Sequence, residues 1–137
     1  LHAPYVRLSK IISSYHPPKL DNMVIVGAKK DTELLSQIGE LDFADLHFSV
    51  YEGNGGHMKG ETILKCAEHK LIFTGDNLVN IKGFSKGQRL FNELAPYLMQ
   101  SVNMDSQEAS RLRILLEKES KGYLVCPGHG PVFYNEE

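Results

Sequence analysis

Two glycine-rich turns, each closing an apolar run, constrain this chain more than any other feature. The first stretch occupies residues 53–76. Gly53-Asn54-Gly55-Gly56-His57-Met58-Lys59-Gly60 leads into a strand-like segment and then into Leu71-Ile72-Phe73-Thr74-Gly75-Asp76. The second stretch is Cys126-Pro127-Gly128-His129-Gly130-Pro131. Each turn presents a metal-competent side chain: His57, Asp76 or His129. Glycine lets the backbone bend sharply and expose a neighbouring side chain at a strand end. Three such residues can converge on one centre, because imidazole and carboxylate are donors that zinc, iron and manganese accept. The plain alternative is a set of ordinary turns, since Asp after Gly is common there. Spacing alone does not choose between the two.

The rest of the chain reads as alternating helices and strands. Leu8, Ile11, Ile12 and Tyr15 recur at helical spacing within residues 4–15, and His16-Pro17-Pro18 stops that helix. Met23-Val24-Ile25-Val26 predicts a short buried strand. Asp31 or Thr32 is placed to cap a short helix containing Leu34, Leu35 and Ile38, with Gly39 just beyond its end. In residues 46–50, Leu46, Phe48 and Val50 alternate with His47 and Ser49, the period of a strand with one wet face. His47 then points outward as an exposed histidine. Residues 62–67 and 70–74 predict a hairpin that turns at Glu68-His69.

Residues 85–99 predict a helix with Phe91, Leu94, Ala95 and Leu98 along one stripe, kinked or divided at Pro96. Asp105 with Glu108 resembles a capping box before a helix that buries Ala109, Leu112, Leu115 and Leu116 and stops at Gly122. Residues 123–126 predict the last strand. This order fits a single α/β domain over residues 1–137, a sheet covered by helices.

Composition narrows the function classes. A formal charge of −2 gives no broad basic field, so nucleic acid is not indicated as a partner. No apolar run reaches membrane-span length. The two cysteines, Cys66 and Cys126, cannot build a disulfide framework and lack the paired spacing of a structural zinc site. They read as strand residues of a protein from a reducing compartment, hence a cytoplasmic expectation.

The motifs carry a resemblance. Gly56-His57-x-x-Gly60, Phe73-Thr74-Gly75-Asp76 and Pro127-Gly128-His129-Gly130-Pro131 look like the later motifs of the metallo-β-lactamase superfamily, in their usual order. Val102-Asn103-Met104-Asp105 and the helix after it are also similar to family members. The resemblance runs from about Met23 to Pro131, with Gly56 in place of the proline usual before that histidine. It implies an αββα sandwich, of which this chain matches mainly the C-terminal half. It implies a dinuclear site with zinc, or with iron or manganese. His57 would bind the first metal, Asp76 would bridge, and His129 would bind the second. It further implies a hydrolase that activates water against a small-molecule ester, thioester, lactam or phosphodiester.

One departure matters. The family's upstream motif, His-x-His-x-Asp-His, has no counterpart here. Either the chain is a fragment, or His2-Ala3-Pro4-Tyr5-Val6 is a degenerate remnant of that motif. The alternatives to hydrolysis are an inactive domain kept for binding or regulation, and a diiron redox or oxygen-binding relative. Half a sandwich leaves an apolar sheet face open, so the expected partner is the missing N-terminal half or a second copy of the chain.

Overall fold

The structure is a computed structural model and describes residues 30–31, 34–99 and 103–136. The helix expected over residues 4–15, the strand expected at 23–26 and His2 lie outside these residues. The described part is α/β, built on a mixed sheet of seven strands in sequence order. The strands are β1 (Lys30–Asp31), β2 (Leu35–Phe43), β3 (Leu46–Gly53), β4 (Thr62–Cys66), β5 (Leu71–Gly75), β6 (Leu124–Pro127) and β7 (Phe133–Tyr134). All neighbours are antiparallel except β5 and β6, which run parallel. A parallel pair needs a long crossover. Two helices, α1 (Lys86–Met99) and α2 (Ser106–Glu119), occupy it.

The expected helix around Leu34, Leu35 and Ile38 is instead strand β2, and Asp31 belongs to β1. Its pairing with β3 slips between Gln37 and Gly39, leaving Ile38 as the extra residue of a bulge. The bulge breaks the period of two and leaves an apolar spacing that mimics a helix face. Gly39 serves the bulge rather than a helix end. The following hairpin turns at Ala44-Asp45, where Ala44 takes a left-handed φ of 54° without the glycine or asparagine that normally marks such a turn.

The other expected elements appear. The β4–β5 hairpin keeps its turn at Glu68-His69, and His69 is exposed. Helix α1 runs unbroken through position 96, and its Phe91 and Leu94 are exposed. Asp105 caps α2, accepting from the amides of Gln107 and Glu108. Glu108 does not complete a capping box. It pairs with Arg111 at 2.7 Å, while the Asp105 amide donates to the Gly56 carbonyl. At the other end, Asn135 donates to the Glu117 carbonyl and the Ser120 hydroxyl, both at 2.8 Å, so the segment after β7 closes α2.

One face of the sheet packs against α2. Ile63, Ile72 and Val125 meet Leu112 and Leu116, with Leu78 and Tyr123 completing the core. Cys66 is fully buried on β4, and Cys126 is half-buried on β6, where burial pushes its thiol pKa up. Alternation puts Leu41, Phe43, Phe73, Leu124 and Tyr134 on the opposite face, and each of them is exposed. No helix among the described residues is long and apolar enough to cross a membrane.

Candidate metal centre

Asp76 and His129 follow the C-terminal ends of the two parallel strands. Gly75 ends β5 with a φ of +55°, a left-handed bend that turns Asp76 out of the sheet. The Gly128 amide donates to the Gly75 carbonyl at 2.8 Å and ties the two strand ends together. That approach leaves no room for a side chain at position 128. A Cβ there would meet the Asp76 carboxylate and come within 2.7 Å of the Gly75 carbonyl carbon. His129 is next in line, and its own carbonyl accepts from the Asn80 amide at 3.0 Å.

His57 comes from the β3–β4 loop and is held from outside the sheet. The Met104 amide donates to the His57 carbonyl at 3.0 Å, and the Asp105 amide donates to the Gly56 carbonyl at 2.9 Å. The His57 ring is fixed as well. Its Nδ1 lies 2.9 Å from Asn103 Oδ1. An amide oxygen only accepts, so Nδ1 donates to it, and in the neutral ring the lone pair is then on Nε2. This outer partner sets the tautomer a metal ligand needs. If the centre holds zinc, replacing Asn103 with leucine is expected to weaken binding about 10- to 100-fold, with Asn103→Asp restoring most of it. Competition titration against a chelator would measure this. Equal affinities in all three proteins would remove Asn103 from the centre.

Asp76 lies beside both histidines, but among the described residues His129 does not join His57 and Asp76 in one group of ligand atoms within 4.8 Å. Asp76 Oδ2 lies 3.6 Å from His57 Nε2 and 3.4 Å from His129 Nε2. Both separations exceed an ordinary N–H···O hydrogen bond, which ends near about 3.2 Å. They match the separation of about 3.4 Å between donors that sit about 2.1 Å from one tetrahedral ion. The His57 side chain is 19% exposed and that of His129 is 67% exposed, so the centre is closed on one side and open on the other.

A fourth residue, Glu61, was not among the expected ligands. One donor atom from each of His57, Glu61 and Asp76 lies within 4.8 Å of the others. Glu61 Oε1 accepts a short hydrogen bond from the Asp76 backbone amide. Its Oε2 is buried and has no hydrogen-bond partner among the described residues. Burial raises the Glu61 pKa above the usual carboxylate range. The Asp76 amide and, when it is protonated, the His57 ring oppose that rise, and the Asp76 carboxylate adds to it. The residue was legible in principle. The β4–β5 register pairs Leu64 with Phe73 and Cys66 with Leu71, and counting outward places Glu61 across from Asp76.

His47 is exposed and bonded to Asp42 at 2.6 Å, away from the centre. An apolar pocket of about 420 Å³ lies under the second half of α2, and none of the four centre residues lines it. Comparison of the chain with protein-family models, with curated proteins and with solved structures finds no match.

Proposed function

We propose that this chain carries the metal centre of a hydrolase of the metallo-β-lactamase type and represents mainly the C-terminal half of its αββα sandwich. One observation carries the reading: a single oxygen, Asp76 Oδ2, stands at ligand-sharing distance from the Nε2 atoms of both His57 and His129. The donor set suits a borderline divalent ion, zinc first, with iron and manganese as alternatives. The buried, unpartnered oxygen of Glu61 beside the Asp76 carboxylate also fits a site that takes positive charge.

When bound, such an ion supplies Lewis acidity and an acidified water for attack on an ester, thioester, lactam or phosphodiester. The chain's own residues orient the site. Asn103 fixes the His57 tautomer, and Glu61 holds the Asp76 backbone. His129 stands on the open side, where a small-molecule substrate can approach. Among the described residues no third His, Cys, Asp or Glu joins the pair Asp76 and His129. A second metal position there takes its remaining donors from residues outside the described ones, from the missing half of the sandwich, or from a second copy.

The test is metal retention followed by turnover. The purified chain would be dialysed against zinc, manganese or iron(II), and the retained ion measured by mass spectrometry. Chromogenic ester, thioester and phosphodiester substrates would then be assayed with and without chelator. Retained metal and chelator-sensitive hydrolysis are expected. Retained metal without hydrolysis would favour a binding or regulatory domain, a reading that the two-donor second position also supports. No retained ion would overturn the metal reading.

A further inference from the structure

We infer that Glu61 is a metal ligand, forming with His57 and Asp76 a three-donor seat for one divalent cation. The inference rests on the metal reading above and adds a donor that none of the recognised motifs supplies. Its two carboxylate oxygens have different tasks. Oε1 is committed to the Asp76 amide. Oε2 is shielded from solvent and has no hydrogen-bond partner among the described residues. A buried carboxylate oxygen without a partner is costly, and native structures rarely leave one so unless an ion or water completes it.

The cradle around the carboxylate is specific. A Cβ on Gly75 would come within 2.7 Å of Glu61 Oε1, so the glycine that bends the chain toward Asp76 also makes room for Glu61. The distances permit a shared ion. Donors about 2.1 Å from one tetrahedral ion lie about 3.4 Å apart, and the three donor atoms here lie within 4.8 Å of one another, so side-chain shifts of at most about 1.4 Å close the group on an ion. The charge is also appropriate. Two carboxylates and a neutral imidazole favour a divalent ion over the empty cluster, in which Glu61 and Asp76 repel each other.

His129 is not part of this seat. Its Nε2 lies 3.4 Å from Asp76 Oδ2 but falls outside the His57–Glu61–Asp76 group. The centre is therefore asymmetric, with a three-donor position on the closed side and an incomplete one on the open side.

Cobalt(II) titration of the whole chain tests this, since the visible ligand-field band of cobalt reports coordination directly. The parent and Glu61→Gln would be compared, with affinities from chelator competition. Glutamine keeps an oxygen for the Asp76 amide and removes only the anionic second donor, so the apo variant should melt close to the parent. The variant is expected to bind cobalt roughly a hundredfold more weakly and with an altered band.

Identical affinity and spectrum would overturn the inference, leaving Glu61 as a backbone anchor beside a centre made by the other residues. Absence of cobalt binding by the parent would overturn both this inference and the metal reading. If the variant fails to fold, anomalous diffraction from zinc-loaded parent crystals decides. Zinc about 2.0–2.2 Å from Glu61 Oε2 supports the assignment, and zinc beyond about 3 Å overturns it.

Discussion

Asp76→Asn is expected, on the proposed metal reading, to lower zinc affinity roughly a hundredfold or more. The magnitude follows from sharing. Four-donor protein zinc sites bind with about 10–16 kcal/mol of apparent free energy, so one donor accounts for about 3 kcal/mol, or roughly two decades in Kd. Asp76 should exceed that share, because the same oxygen faces both histidines. The amide of asparagine is a neutral, weaker donor at both positions. The fold should survive, since the bond from residue 76 to Glu61 is made by the backbone amide. Chelator competition on the two proteins, alongside thermal melts without metal, separates the effects. An affinity within a factor of about three of the parent would mean that the convergence of these residues does not hold an ion.

Leu112→Ala is expected to cost about 2–5 kcal/mol of stability, the range for truncating a buried leucine. Leu112 is 1% exposed and belongs to the cluster in which α2 covers Ile63, Ile72 and Val125. Its Cδ2 sits 2.7 Å from where a Cβ on Gly53 would stand, so the side chain rests directly on the end of β3. Relaxation cannot refill that space without moving a strand. The apparent Tm should fall by about 10 °C for a domain of this size, measured by circular dichroism. If the proposed centre binds zinc, zinc at about 100 times its Kd should return about 2.7 kcal/mol of the loss. A cost below about 1 kcal/mol would mean that α2 is not packed on this face as described.

The legible parts of the centre were those set by local chemistry. His57, Asp76 and His129 stand beside glycines at the ends of apolar runs, and a bend at a strand end can be read from a few neighbouring residues. Glu61 was harder because its role is made by pairing. In sequence it is a polar residue before a strand, and only the hairpin register brings it to Asp76. Strand β2 was misread for a related reason. Ile38 is a bulge residue, and a bulge erases the alternation by which strands are recognised. The turn at Ala44 carries no residue that favours its left-handed backbone, so nothing marked the first hairpin. Strand β7 spans two residues after a proline-containing turn and exists only because Val125 and Leu124 pair with it. The α/β class survived these misreadings, because the hairpin and the α2 core are set by strong periodic patterns.

The two amides that leave residues 104 and 105 for the carbonyls of His57 and Gly56 have a kinetic meaning. They make the start of α2 a latch on the loop that carries His57. Helix ends fray more readily than helix centres, and small local openings of this kind are separate events from global unfolding. Each time the first turn of α2 lets go, His57 loses the support of its backbone and of the segment holding Asn103, while Asp76 and His129 stay fixed at their strand ends. That first turn, capped by Asp105 and some fifty residues from His57 in sequence, is therefore the support on which the position of His57 depends. On the proposed metal reading, ion exchange would proceed by release of one histidine, with the sheet undisturbed.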